Sequence, residues 1–177
     1  GLTGITTGFS KLDEMTSGMQ KSDLIILAAR PAMGKTAFAL SLARNAAVKG
    51  KASVMIFSLE MAKEQLTQRL LSMESKVDLQ TLKTGRLERR DWDDLNVALD
   101  ILSNSNIHID DTAGISIMEM KSKCRRLKAE AGLDLVIIDY LQLMNPEGKA
   151  DSRTQEISVI SRNLKLLARE LDCPVLV

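Results

Sequence analysis

Short runs of Ile, Leu and Val recur along this chain, and between them lie longer stretches in which apolar residues return at helical spacing. That alternation restricts the fold more than any other feature. Brief, nearly continuous apolar runs suit strands buried on both faces, and such strands belong to mostly parallel sheets covered by crossover helices. The candidate strands are Leu24 to Ala28, Ser53 to Ser58, Ile107 to Ile109, Leu135 to Ile138 and Pro174 to Val177. Helical stretches fill the gaps. Thr36 to Val48 is Ala-rich; Ile117, Met120, Cys124 and Leu127 share one helical face, as do Ile157, Ile160, Leu164, Leu167 and Leu171. Two or three further helices are expected between Met61 and Leu102, with Asp91 placed to cap one beginning at Trp92. Asn145 to Ser152, with a Pro and a Gly among polar residues, reads as a loop. The fold class is α/β, a mostly parallel sheet flanked by helices on both faces.

A chain of 177 residues that is 45% hydrophobic can bury one sizeable core. It stops at Val177 inside an apolar run, so an incomplete domain is expected. Lys and Arg number 24 against 23 for Asp and Glu, a net charge of +1 that gives no global sign of a polyanionic partner. Any nucleic-acid site must therefore be local. Cys124 and Cys173 match neither a metal knuckle nor a disulfide framework and read as free thiols in a reduced compartment. No apolar run is long enough to span a bilayer, and Gly1 to Gly18 lacks the pattern of a signal peptide. A cytoplasmic protein without membrane contact is expected.

The most informative local pattern is A-R-P-A-M-G-K-T at Ala29 to Thr36, set between a strand and a helix as a phosphate-binding loop requires. Ala29, Arg30, Pro31, Ala32, Met33, Gly34, Lys35, Thr36 and Ala37 form the expected nucleotide-binding segment, in which successive backbone N–H groups wrap a phosphate. The following helix adds its unpaired donors and positive dipole end. Gly34 lets the backbone come close, Lys35 reaches the outer phosphates, and the Thr36 hydroxyl is a magnesium ligand. The usual first residue of the pattern is Gly, and here it is Ala29. A chance G-K-T after a strand is the competing reading.

Two carboxylates follow at strand ends. Asp139 closes L-D-L-V-I-I-D-Y, at the edge where ligands of open parallel sheets gather, and is a candidate partner of magnesium. A turn-forming Asp is the plainer alternative. Glu60 closes F-S-L-E and could polarise the water that attacks the outermost phosphorus, or could simply favour a helix N-terminus.

The phrase G-I-T-T-G-F-S-K-L-D (Gly4 to Asp13), with A-R-P-A-M-G-K-T, F-S-L-E-M and I-I-D-Y-L-Q-L-M, resembles the RecA-like P-loop ATPase domain of DnaB-type replicative DNA helicases. The resemblance covers essentially the whole chain, 1–177, and the Ala29 departure is common in that family. It implies ATP and Mg2+ as cofactors, catalytic roles for Lys35 and Glu60, and metal roles for Thr36 and Asp139. It further implies a homohexameric ring around single-stranded DNA, with primase and a helicase loader as partners. A sensor motif, a DNA-contacting loop and a basic finger would lie beyond Val177, and an N-terminal domain before Gly1. Related alternatives are a RecA-like recombinase, a RadA-like or clock-type ATPase, and a nucleotide-binding module that does not hydrolyse.

Other residues admit two readings. Lys149 and Arg153 sit in the Asn145 to Arg153 loop, where they could meet backbone phosphates or be ordinary surface charges. Lys121, Lys123, Arg125, Arg126 and Lys128 could form a nucleic-acid face or the solvated side of a helix. His108, the single histidine, reads as structural. At 3% aromatic, the chain offers no stacking platform for bases, and the nine methionines read as core filler.

Overall fold

The computed structural model describes residues 2–27, 34–139 and 150–177, the side chains of 150–154, 156 and 157 excepted. Its strands are β1 (Leu24–Ile25), β2 (Ser53–Ser58), β3 (Asn106–Asp110), β4 (Leu135–Asp139) and β5 (Val175–Leu176). Its helices are α1 (Ser10–Thr16), α2 (Gly34–Arg44), α3 (Lys63–Ser75), α4 (Leu79–Thr84), α5 (Arg89–Ser103), α6 (Ile117–Glu130) and α7 (Ala150–Leu171), and a π-helical turn over Asn45–Lys49 prolongs α2. The strands form one sheet in the order β1-β5-β4-β2-β3, and every adjacent pair runs parallel.

The unbroken apolar runs follow from burial on both faces. Along β2, Val54 and Ile56 enter one core while Met55 and Phe57 enter the other; along β4, Leu135 and Ile137 divide from Val136 and Ile138 in the same way. Neither face of these two strands meets water, so neither needs polar residues. The first core is closed by Ala39, Leu40, Leu42, Ala43, Ala46 and Ala47 of α2 and its π turn, with Leu66 and Leu70 of α3. The small side chains of Ala39, Ala43, Ala46 and Ala47 let α2 and its π turn lie close to the sheet. The second core is closed by Met120 and Cys124 of α6 and by Leu164, Leu167, Ala168 and Leu171 of α7. Each fully buried Ile, Leu or Phe here contributes about 1.5–3 kcal/mol. Met55 and Met120 are buried and Met61 and Met73 pack partly buried against the first core, as core filler should, but Met15 and Met118 are 83% and 80% exposed and fill no core.

The N-terminal phrase docks on α2. Asp13 is buried, and its carboxylate accepts from Thr6 Oγ1 at 2.5 Å, Thr7 N at 2.9 Å and Thr7 Oγ1 at 2.7 Å. Burial pushes this carboxyl up, but the hydrogen bonds from Thr6 and Thr7 outweigh it and hold it below its ordinary 3.8. Asn45 Nδ2 donates to the Thr7 carbonyl at 3.0 Å, and Gly8, at φ +80°, leaves room for it: a Cβ on Gly8 would lie 2.1 Å from that nitrogen. Only glycine satisfies both the backbone and the space.

Several boundaries differ from expectation. β1 ends at Ile25, and Ile26 is exposed, although Leu27 N still bonds the Val177 carbonyl. Asp91 lies inside the first turn of α5, where its side chain accepts from Glu88 N at 3.0 Å; the helix begins three residues earlier than Trp92 because Asp91 caps by reaching back. The expected loop over Asn145 to Ser152 gives way to helix at Ala150, and 140–149, with Lys149, lie outside the described residues.

Candidate functional site

The site is built on the carboxyl ends of β2 and β4. These strands pair with Ser58 opposite Asp139. By alternation both side chains face the α2 side, the side of Val54, Ile56, Leu135 and Ile137. Thr36, in the first turn of α2, is buried and donates from Oγ1 to Asp139 Oδ2 at 3.0 Å. The structure thus brings together two of the residues singled out as metal ligands from positions 103 apart in sequence.

The second oxygen of that carboxylate is the telling atom. Asp139 is 6% exposed, and its Oδ1 is buried without a hydrogen-bond partner among the described residues. A buried acceptor left unpaired costs about 1–3 kcal/mol, so such atoms call for a ligand or an ion. A hydroxyl and a carboxylate are hard oxygen donors of the kind Mg2+ takes, directly or through its waters. The residues present fit the metal.

Around them the chain favours an anion. The first turn of α2 has no acidic residue, and Lys35 lies in it, half-buried, beside Thr36. Helix N-terminal N–H groups and the macrodipole attract negative charge there. Gly34 has no positive φ, and a Cβ built on it meets no described atom within 4 Å. Among the described residues neither conformation nor packing explains the glycine, which fits a backbone that a phosphate approaches closely. Ala37 follows, half-buried, and residues 29–33 of the expected loop lie outside the described residues.

Glu60 stands two residues beyond β2 and is exposed at the same edge. Its turn is braced by side chains that the sequence reading passed over. Ser58 Oγ donates to the Met61 carbonyl at 2.8 Å and accepts from Met61 N at 3.2 Å. Next, α3 opens on Ala62, which has no side-chain acceptor, so its first N–H groups borrow two: Gln65 Oε1 for Ala62 N at 3.0 Å and Asp111 Oδ2 for Lys63 N at 2.9 Å. Gln65 three residues after Ala62 was a visible signal in the sequence. Asp111 was not, because its partner is 48 residues away.

The basic helix α6 spends three of its charges internally. Lys123 Nζ reaches Asp110 at 2.6 Å and Thr112 Oγ1 at 3.0 Å, Lys121 pairs with Glu170, and Lys128 donates to the Leu171 carbonyl. These contacts tie α6 to β3 and α7. Cys124 and Cys173 are free and buried, and burial pushes their thiols up to about 12 and about 11, so both stay protonated. His108 sits in β3 opposite Met55, and among the described residues no group of three His, Cys, Asp or Glu could hold a metal. No described helix is long and apolar enough to cross a membrane.

A parallel sheet with helices on both faces, and a G-K-T helix start hydrogen-bonded to a strand-end aspartate, define the RecA-like class of P-loop folds. Comparison with known proteins narrows this. The family of DnaB-like helicase C-terminal domains matches residues 4–177, and the chain belongs to it. It is 56% identical over 176 residues to the replicative DNA helicase DnaC of Bacillus subtilis and 54% identical over 176 residues to the replicative DNA helicase DnaB of Geobacillus stearothermophilus. Each alignment covers 99% of this chain and 39% of the relative, so the chain spans well under half the length of these relatives. Among solved structures, an ATPase domain superposes with a TM-score of 0.89 at 44% identity, over 99% of this chain and 63% of that one. A DnaB-like replicative helicase, described together with its interactions with primase, superposes with a TM-score of 0.88 at 44% identity, over 99% of this chain and 42% of that one.

Proposed function

We propose that this chain is the motor of a replicative DNA helicase, binding and hydrolysing ATP with Mg2+ to drive movement along single-stranded DNA and separation of the duplex. The observation that carries the reading is the Thr36–Asp139 hydrogen bond, with Asp139 Oδ1 beside it unpaired among the described residues. Family membership supplies the reaction class.

Each residue has a task. The N-terminus of α2 and the loop 29–34 receive the phosphates, and Lys35 places its ammonium against the outer ones. Thr36 and Asp139 would hold Mg2+, which would supply positive charge to offset that of the phosphates. Glu60 orients a water and takes its proton while the water oxygen bonds to the outermost phosphorus and the bond from that phosphorus to the bridging oxygen breaks, releasing ADP and phosphate. Assembly into a ring, a grip on single-stranded DNA and contact with primase or a loader extend the reading to the whole protein; the relatives' names support the helicase activity and the helicase described with primase supports that one partner.

The test is ATP hydrolysis by the full-length protein with and without single-stranded DNA, with ring formation followed by light scattering in the same samples. DNA-stimulated turnover confined to the ring is expected. A protein that binds ATP and never turns it over would leave a phosphate-binding module and refute the motor.

A further inference from the structure

We propose that Ser58 is a positioning residue for hydrolysis, setting where Glu60 stands relative to Asp139; this rests on the catalytic reading of Glu60 given above. The turn carrying Glu60 hangs between a long backbone hydrogen bond on one side and a side-chain clasp on the other. On one side, Leu59 N bonds the Asp139 carbonyl at 3.4 Å, which ties the turn to β4. On the other, the single hydroxyl of Ser58 holds both backbone groups of Met61, accepting from its N–H and donating to its C=O. Glu60 is the residue enclosed between them.

Ser58 is well suited to this because it is itself immobile. It is 2% exposed, ends a strand buried throughout, and is the register partner of Asp139. A position fixed at Ser58 is therefore fixed relative to the carboxylate that holds the metal. A turn needing only solubility or a helix start would be served by water or by any capping residue. Here one buried hydroxyl is used twice, while α3 obtains its own caps separately from Gln65 and Asp111. Removing the hydroxyl leaves Glu60 in place chemically but lets its backbone wander, and a displacement near 1 Å in a reacting group can cost on the order of a hundredfold in rate.

The test uses the full-length protein with DNA-stimulated ATP turnover, KM for ATP, affinity for a fluorescent ADP analogue, and melting temperature. Ser58→Ala is expected to lower kcat about tenfold or more, within what misplacement of a reacting group costs, while KM and ADP-analogue affinity stay within twofold. Ser58→Thr, which keeps the hydroxyl, recovers most of the rate. Adding Ser58→Ala to Glu60→Gln costs nothing further, because the carboxylate being positioned is already gone. Gln65→Ala, an exposed change on the far side of the same turn, lowers kcat in the same direction by less and guards against a Ser58 variant that fails to fold. Unchanged kcat in Ser58→Ala with a lowered melting temperature would overturn the proposal, as would a further rate loss in the double variant. Should Glu60→Gln alone hydrolyse normally, the catalytic reading fails first and the role of Ser58 goes with it; an inactive Glu60→Gln beside an active Ser58→Ala defeats Ser58 alone.

Discussion

Two regions of this chain are dense in polar motif residues, and they use them in opposite ways. In the phrase Gly4 to Asp13, the buried polar capacity is spent inside: Asp13 takes three hydrogen bonds from Thr6 and Thr7, and Thr7 gives its carbonyl to Asn45. At the ends of β2 and β4 it is left open, with Asp139 Oδ1 unpaired among the described residues and Glu60 exposed. A satisfied polar cluster holds the fold; an unpaired oxygen beside a helix start and two strand ends fits a ligand, unlike Glu74 Oε2 and His108 Nε2, which are also buried without a hydrogen-bond partner among the described residues but have no such surroundings. The N-terminal phrase is therefore a docking key for α2, and the strand-end cluster is the proposed working site.

The sharpest way to break that comparison is Glu60→Gln. Loss of a general base costs about 10²–10⁴ in rate, so DNA-stimulated turnover should fall by that order while the melting temperature and nucleotide binding hold. Lys35→Ala should abolish measurable binding of ATP in a filter assay and leave the far-ultraviolet circular dichroism unchanged, since the half-buried lysine has no hydrogen bond or ion pair among the described residues to lose. Unfolding in that variant would make Lys35 part of the scaffold.

Gly8→Ala probes the other region. It forces a side chain into a positive φ and into Asn45, and strain of this kind costs about 1–3 kcal/mol; denaturant titration should register it. Turnover per folded molecule should not change, and a change would mean that the docking key reaches the chemistry.

Asp13→Asn tests the same region by pH. The folded carboxyl titrates below its ordinary 3.8, so the folded state binds fewer protons in that range and the stabilisation is fully present above it. Wild type should melt above the variant at pH 6, and the gap should close as pH falls below about 3.8 and through the folded value. A gap that widens on acidification contradicts the assignment. The smallest effect is expected from Lys123→Ala. Its pair with Asp110 is partly exposed, and such pairs contribute about 0.2–1 kcal/mol; single-strand affinity should be untouched, whereas a loss would restore α6 as a nucleic-acid face.

Much of this was legible in one dimension. β2 is the run Ser53 to Ser58 as read, and the strands read elsewhere differ from the observed ones by their ends, because burial on both faces writes itself as an uninterrupted apolar run. Thr36, Asp139 and Glu60 could be nominated because phosphate loops and strand-end carboxylates are local patterns. The shortening of β1 was not legible, since Ile26 is as apolar as its neighbours and only the packing exposes it. Nor was the fate of α6: five basic residues in eight positions look alike until Asp110, Glu170 and the Leu171 carbonyl arrive from distant parts of the chain.

The sequence by itself determined the alternation of strand and helix, and with it the class of fold and the residue types at the site. Tertiary structure alone decided which polar groups are satisfied. Hydrogen-bond partners such as Thr36 with Asp139, or Lys63 with Asp111, lie 103 and 48 positions apart and meet only once the sheet has set its strand order and register. Whether a carboxylate is a scaffold or a ligand depends on that last count, and no local pattern contains it.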